Sequence, residues 1–498
     1  MRPLPEVRNI GPAWLTAGLD RARRLDWPSH RALHGEIPLL SLGELIMLAE
    51  AGNLRGRGGA GFPFARKVMA VSESVARGRG DPVVVVNGTE GEPGSCKDKV
   101  LLARAPHMML DGAVLAATAL RAREIVIGVT EPDVQLSVES AIAERGLDGI
   151  ARVHRMPERF ISGEGGALVR GINGERPIPP GRKVRASDSG VGGRPTLLSN
   201  AETFAQLAML AALGADGYRS AGVRNEPGTL LLTVGGSARR PAVLEAPLGV
   251  PLGIVLDMCE APMGEGILIG GYHGKWISAQ AAARAELSRS GMEAVGGTLG
   301  AGIILPIGPD TCPLGEVARV TRYLAGESAG QCGPCALGLP ALADATEALA
   351  EGRGGSATLD AVRQAAEAVR GRGACAHPDG ASRFVLSALD VFTEDVTEHV
   401  MNGSCGRRTR RVLPVPREVD ERMARDPGGA GTGRLVVDWS RCDGHGLCAG
   451  LVPGFVTLDV HGYPVIPPAP VPARLERAAE RAVGMCPALA LRIERTPR

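Results

Sequence analysis

The chain has 498 residues, too many for one hydrophobic core, and 44% of them are hydrophobic, so roughly three or four folded domains are expected. A net charge of +2, from 56 basic and 54 acidic residues, and an aromatic content of 3% leave neither an electrostatic footprint nor stacking platforms for nucleic acid. No apolar run is long enough to span a bilayer, and residues 1–20 lack a basic-then-apolar leader. The expected location is therefore cytoplasmic, where closely spaced cysteines are more often metal or cluster ligands than disulfides.

Residues 1–35 read as an irregular N-terminal extension rich in Pro and Arg. Ser41 and Glu44 form a capping-box pattern that opens an apolar helix running to Ala51, with Gly52-Asn53 as its stop. The stretch Leu54–Pro63 then carries four glycines in ten residues. Such a backbone can take φ > 0 and come close to a ligand, so its amides can line an anion-binding concavity. Gly56-x-Gly58-x-x-Gly61 satisfies the dinucleotide fingerprint, but it follows a helix where that fingerprint requires a strand. Arginine is so preferred that the only lysines are Lys67, Lys97, Lys99, Lys183 and Lys275, which suggests that a compact ammonium is wanted at those places.

Residues 82–87, 124–129 and 151–156 read as strands, and 108–122 and 133–145 as helices, a βαβαβ unit with a parallel sheet. Ligands of such sheets sit beyond the carboxyl ends of the strands, which points to Asn87-Gly88-Thr89-Glu90-Gly91-Glu92-Pro93-Gly94. Its acids suit ribose or nicotinamide hydrogens better than phosphate. Residues 226–310 show short strands between glycines and one short helix, and 311–412 are mainly helical. That helical stretch holds Cys332-x-x-Cys335 and, further on, Cys375 and His377. An iron–sulfur cluster, a Cys₃His zinc site and no metal at all are the three options there. Residues 413–432 form a Pro/Gly linker. Beyond it come a strand at 434–439, the Cys442-x5-Cys448 loop, a helix at 472–484, Cys486-Pro487 and a strand at 489–493, an arrangement of thiolates that is cluster chemistry. Cys96, Cys259, Cys312 and Cys405 read as isolated core or incidental thiols.

Four motifs, the glycine run at 54–63, Asn87-x-x-Glu90-x-Glu92-Pro93-Gly94-x-x-Lys97-Asp98, Ile161-Ser162-Gly163-Glu164 and Gly193-Arg194-Pro195-Thr196-x-x-Ser199-Asn200-Ala201-Glu202-Thr203, occur in this order. Together they resemble the NADH-oxidising flavoprotein subunit of respiratory complex I and the related diaphorase subunits of NAD-dependent hydrogenases and formate dehydrogenases. The resemblance spans residues 36–412; residues 433–498 resemble small single-cluster bacterial ferredoxins. It implies an α/β fold: a Rossmann-like FMN/NADH domain at 36–225, a β-grasp (SLBB-like) insert at 226–310, a helical iron–sulfur domain at 311–412 and an α+β ferredoxin domain. It also implies that Gly56, Arg57, Gly58, Gly59, Ala60, Gly61 and Lys67 hold FMN, with Asn87, Gly163, Glu164, Asn200 and Thr203 around the flavin. Glu92 and Phe62 would serve NADH, and Thr89, Glu90 and Ser199 complete the implied cofactor site.

The departures from the family pattern are informative. Thr89 stands where the family usually has Asp, and Gly165 where a second Glu follows Glu164. Two aromatic positions that flank adenine in relatives correspond to Ala70 and Arg185. An arginine there stacks on adenine or pairs with a 2′-phosphate, which leaves NADH and NADPH both open. Ala329 replaces one cluster cysteine and leaves Cys332, Cys335 and Cys375. His445 replaces another in the ferredoxin loop and leaves Cys442, Cys448 and Cys486. Three-cysteine sites hold [3Fe–4S], or [4Fe–4S] completed by water or by a side chain such as His377 or His445. The implied activity is an NAD(P)H dehydrogenase that passes hydride to FMN and single electrons through the clusters to the fused ferredoxin, with no catalytic acid or base. The final redox partner is unidentified, a membrane redox subunit being one docking option. The alternatives are an electron-transfer subunit with little activity alone and a degenerate flavin- or nucleotide-binding protein.

Overall fold

The computed structural model describes residues 4–181, 184–416, 433–453, 455–459, 461–467 and 469–495. The chain divides into two compact units, one ending at Val415 and one beginning at Pro416. Lys183 and residues 417–432 of the expected linker lie outside the described residues.

The first unit opens with β1 (Glu6–Asn9) and α1 (Trp27–His34). This stretch is not the irregular extension expected from its composition. β1 pairs in parallel with residues 242–245, and Leu15, Leu19 and Leu25 are buried in the core. The anchor is Glu245, wholly buried, whose carboxylate accepts from the amides of Trp14 (3.0 Å), Leu15 (2.9 Å) and Thr16 (2.9 Å) and from the hydroxyls of Thr16 (2.8 Å) and Thr229 (2.7 Å).

Next comes α2 (Leu42–Ala51), with both hydrogen bonds of the expected capping box between Ser41 and Glu44. The glycine run leads into α3 (Phe64–Ala76), after which the central α/β layer builds up. Its elements are β2 (Val83–Asn87), α4 (Lys97–Arg104), α5 (Pro106–Leu120), β3 (Ile125–Val129), α6 (Pro132–Glu144), β4 (Ala151–Arg155), α7 (Gly165–Ile172), β5 (Thr196–Asn200) and α8 (Ala201–Tyr218). The four strands are all parallel, in the order β4-β3-β2-β5, as the valine- and isoleucine-rich runs predict. The chain steps outward from β2 to β4 and returns on the other side of β2. That reversal opens a crevice beyond the carboxyl ends of β2 and β5, where Asn87 and Asn200 are register partners. Close packing of α5 on α8 requires Gly112, since a Cβ there would lie 1.8 Å from the Phe204 carbonyl oxygen.

A short ribbon, β6 (Gly222–Val223) and β7 (Glu226–Pro227), leads to β8 (Thr229–Val234), β9 (Ala242–Pro247), α9 (Leu252–Met258), β10 (Gly266–Ile269), β11 (Lys275–Ser278), α10 (Ala279–Ala282), α11 (Arg289–Ala294) and β12 (Ile303–Ile307). With β1 these make a mixed six-stranded sheet, ordered β1-β9-β8-β12-β10-β11. Five helices complete the unit: α12 (Pro313–Gly326), α13 (Leu339–Ala350), α14 (Gly355–Val369), α15 (His377–Val391) and α16 (Thr393–Asn402).

The second unit contains β13 (Gly433–Val437), α17 (Leu447–Leu451), β14 (Thr457–Leu458), β15 (Pro464–Val465), α18 (Glu476–Met485) and β16 (Leu491–Arg495). β13 pairs antiparallel with β16, and β14 with β15, around a core that includes Leu435, Val452, Phe455 and Ala479.

Removing the Glu245 carboxylate strands three amides at once, two of them buried. Glu245→Ala should cost about 2–4 kcal/mol in denaturant unfolding. It should also accelerate amide exchange at residues 14–16; unchanged exchange there would show that the segment is held by something else.

Candidate active site

The crevice beyond β2 and β5 is a cleft of ≈ 500 Å³. Its walls come from the glycine run (Gly58–Ala60), the loop after β2, residues 160–164, Asn200, the glycine-rich turns Gly270 and Gly300 of the second sheet, and Cys375 to His377 of the helical part. The glycine run is closed on itself by a hydrogen bond from the Gly56 amide to the Phe62 carbonyl (2.9 Å). Glycine is required within it: Gly59 has φ +107° and Gly61 φ +59°, and a Cβ on Gly58 would sit 3.3 Å from that of Asn200. Gly91 in the facing loop is equally constrained, since a Cβ would lie 2.4 Å from the Arg159 carbonyl oxygen.

The floor is a buried polar network. Lys97 Nζ lies 2.9 Å from both Asp98 and Glu202 and donates to Asn200 Oδ1 at 3.2 Å. Burial opposes its charge, but Asp98 and Glu202 more than compensate and raise its pKa. Asn200 caps α8 through the Glu202 amide (3.1 Å) and donates to Asp98 at 2.6 Å. Asn87 donates to the Gly163 carbonyl (3.0 Å) and accepts from the Thr89 hydroxyl (2.7 Å), so the residue in place of Asp closes the loop by a neutral bond.

Of the expected site residues, Gly58, Gly59, Ala60, Asn87, Thr89, Glu90, Glu92, Gly163, Glu164 and Asn200 line the cleft. Several of them turn their side chains to structural work. Glu90 caps the start of α4, accepting from the amides of Asp98 (3.0 Å) and Lys99 (2.8 Å) and from the Ser95 hydroxyl (2.5 Å). Glu164 caps α7 through the Ala167 amide (2.8 Å). Glu92 is different. It accepts from the Tyr272 amide at 3.0 Å, its Oε1 is buried without a partner, and burial pushes its carboxyl up to about 8.

Other expected site residues lie off the cleft wall or turn their side chains elsewhere. The Arg57 guanidinium is directed into the protein, donating to the Thr229 carbonyl at 2.9 Å with Nε 3.9 Å from Glu202, while its amide donates to Thr203 Oγ1 (2.9 Å). Arg185 is exposed and outside the cleft lining, as is Phe62. Lys67 lies under β5 and donates to the Leu198 carbonyl (2.9 Å); burial lowers its pKa. Ser199 is buried, its hydroxyl unpartnered, also outside the lining. Sequence reasoning missed Gly270, Gly300, His273 and Arg383, which reach the cleft from segments more than 100 residues beyond the glycine run in the chain. The glycine pairs around 270 and 300 were the only signal available.

The cleft suits a flavin nucleotide. A strand-end crevice lined by glycine amides that a Cβ would fill, with the unpartnered Glu92 oxygen opposite, fits an anionic ligand bearing an edge of hydrogen-bond donors.

Cys375, Ala376 and His377 line the same cleft, so the first cysteine set abuts it directly. Burial pushes Cys335 up to about 12, with Cys332 and Cys375 adding to the effect, so metal loading must release its proton. Ala329, at the position of the missing ligand, packs against Ile161, Ile178 and Cys375. The His377 ring is committed elsewhere. Its Nε2 donates to the Leu324 carbonyl (2.9 Å), and its Nδ1 accepts from His273 Nε2 (3.0 Å), which argues against a Cys₃His zinc site. The spacing of the sulfurs agrees. Among the described residues only Cys312, His399 and Cys405 have ligand atoms all within 4.8 Å of one another, whereas the cysteines of a cubane each hold a separate iron and stand wider. Cys312 and Cys405 are thus not the isolated thiols expected. In the second unit Cys442, Cys448, Cys486 and His445 line one small cavity, and the Ala490 amide donates to Cys486 Sγ at 3.3 Å.

Gly58→Val should press on Asn200 and fill the space beside the glycine amides. The folded variant should lose most of its bound flavin in an absorbance assay, whereas Gly58→Ala should keep a larger share; stoichiometric flavin in the valine variant would refute the placement.

Family models match three parts of the chain: the Nuo51 FMN-binding domain over residues 49–209, the NADH-ubiquinone oxidoreductase-F iron-sulfur binding region over 316–399, and a 4Fe-4S single cluster domain over 435–493. The NADH-quinone oxidoreductase F subunit of Mycobacterium tuberculosis (strain ATCC 25618 / H37Rv) is 30% identical over 401 residues, covering 76% of this chain and 89% of that protein. Its counterpart in Streptomyces coelicolor is 30% identical over 435 residues, 80% of this chain and 95% of that one. Among solved structures, an NAD⁺-reducing [NiFe]-hydrogenase in the H₂-reduced state aligns with a TM-score of 0.69 and 25% identity, over 80% of this chain and 68% of that one. The chain belongs to the family of NADH-quinone oxidoreductase F subunits.

Proposed function

We propose that this NADH-oxidising, FMN- and iron–sulfur-dependent electron-transfer chain is a relay that carries its own acceptor, residues 433–498. The observation that carries the reading is the shared wall: the glycine run and Cys375 line one cleft. Bound there, FMN supplies acceptance of a hydride and release of its electrons one at a time. The chain's own residues bind and orient. Amides of Gly58 to Gly61 receive the phosphate, Asn87 and Asn200 frame the flavin edge, and Glu92 takes the nicotinamide or ribose donors. No side chain is needed as acid or base. The relatives are NADH-quinone oxidoreductase subunits, which supports NADH as the donor.

The finer domain reading rests on topology. The parallel order β4-β3-β2-β5 supports a Rossmann-like domain within 36–225, the mixed sheet with α9 a β-grasp insert within 226–310, α12 to α16 a helical iron–sulfur domain, and the β13–β16 pair around the cysteine loop a ferredoxin domain. We place the activity in the cytoplasm, with a membrane redox subunit as one docking option. A second reading is favoured by the relatives' names, which are those of subunits: this chain too would work inside a larger assembly. The purified chain separates the two. Steady NADH:ferricyanide turnover supports the relay, and no turnover by flavin-replete protein overturns it.

The Glu92 carboxyl, ordinarily near 4.5, sits at about 8, so it keeps its proton until pH passes about 8. Above that a carboxylate faces an anionic dinucleotide. kcat/KM for NADH should therefore fall as pH rises through 8, and Glu92→Gln should flatten that limb. Separately, Ala329→Cys should supply a fourth thiolate at the internal site. Air-oxidised wild-type protein should show a low-temperature paramagnetic signal of [3Fe–4S] type with contributions from both sites, and the variant should lose only the internal one.

A further inference from the structure

A second cysteine cluster sits in the helical part of the first unit, outside the cleft lining. Cys312 immediately precedes α12, His399 lies in the last turn of α16, and Cys405 follows that helix by three residues. Both sulfurs and a ring nitrogen of His399 lie within 4.8 Å of one another, and Cys312 Sγ is 3.4 Å from His399 Nε2. Cys312 is 3% and His399 2% exposed, and Cys405 is half-buried. Neither the flavin site nor the two cluster sites use these residues.

We propose that Cys312, Cys405 and His399 form a structural site for a borderline-soft divalent cation, zinc above all, with water or the Asp395 carboxylate as fourth donor. Two thiolates and an imidazole are a zinc donor set, and sulfurs on one tetrahedral zinc, each about 2.3 Å from the metal, stand about 3.8 Å apart. That fits inside the observed spread. A cubane does not fit it.

The surroundings are built for the ion. With the metal on Nε2, the proton must sit on Nδ1. Asp395 Oδ2 is buried with no hydrogen-bond partner, an oxygen left over for the fourth position. Charge closes as well. Two thiolates balance the dication, and Arg407 pairs with Asp395. Both thiols must be deprotonated, so binding releases up to two protons to solvent.

The frame is held independently of the ion. Cys312 donates its amide to the Arg408 carbonyl (3.1 Å), its Sγ accepts from the Gly315 amide (3.3 Å), and buried Glu316 holds the amides of Val412 (3.0 Å) and Leu413 (3.3 Å). The ion therefore clips the first helix of the bundle to the strand of chain that leaves its last helix. Closing so long a loop gains stability, and a d¹⁰ ion does so without diverting electrons.

The test uses the full-length protein with its flavin and clusters. Metal analysis of wild-type protein from zinc-supplied culture should find about one zinc per chain, and its zinc K-edge absorption should show two sulfurs at about 2.3 Å with nitrogen or oxygen at about 2.0–2.2 Å. Zinc far below one per chain, a four-sulfur shell, or a Cys312–Cys405 disulfide in the intact mass would overturn the site. His399→Ala, or Cys405→Ser should the first fail to fold, should cut zinc at least about tenfold while iron and flavin per chain hold. Zinc retained in a folded variant would overturn it equally. None of these readouts depends on NADH oxidation.

Discussion

The buried ammonium of Lys97 is the contact on which the cleft depends. It joins Asp98 and Glu202, at the first turns of α4 and α8, to Asn200 at the end of β5, so two helix starts and a strand end meet at one point. Moving three charged groups out of water costs several kcal/mol each and is recovered only when pairing is complete. Arg57 completes it: with its guanidinium 3.9 Å from Glu202, two cations face two carboxylates. A compact ammonium reaches three acceptors in this space, whereas a planar guanidinium would present a fixed fork. The survival of a lysine here, in a chain that otherwise prefers arginine, has that steric reason.

This network also explains which of the expected site residues turn their side chains to structural work. Arg57 sits inside the glycine run that the family resemblance assigns to FMN, and the network uses its guanidinium as a counter-ion. Glu90 and Glu164 both belong to the implied cofactor site, yet helix starts with unsatisfied amides take their oxygens. Glu92 has no helix to cap, which leaves it the carboxyl with an oxygen to spare.

Local signals were legible and distant ones were not. The strands β2, β3 and β4, α5, α6 and the capping box of α2 follow from apolar period and cap residues, and each was expected within about two residues of its observed bounds. α4 was invisible because Lys97-Asp98-Lys99 reads as solvated loop, although the first two are buried. β1 was invisible too. Its partner lies more than 200 residues away, and an edge strand with exposed ends carries little pattern. The same limit hid Cys312 and Cys405, which look isolated because cysteine spacing is read over a few residues, while their grouping is made by the packing of α12 against α16.

The absent fourth ligand at the internal site is a packing fact as much as a chemical one. Ala329 does not leave a gap: its methyl group belongs to a small apolar cluster with Ile161 and Ile178, and Cys375 packs against it. The nearest imidazole, His377, has both nitrogens engaged, one by a helix carbonyl and one by His273, itself held neutral by burial. Drawing that ring toward the cysteines would strand a buried carbonyl and a part-buried histidine together, a cost of about 1–3 kcal/mol for the buried group left unpaired. The loop is pinned besides, by Gln331 on the Pro179 carbonyl at 2.7 Å. The fold thus fills the place of Ala329 with hydrocarbon, not with a fourth donor beside Cys332, Cys335 and Cys375.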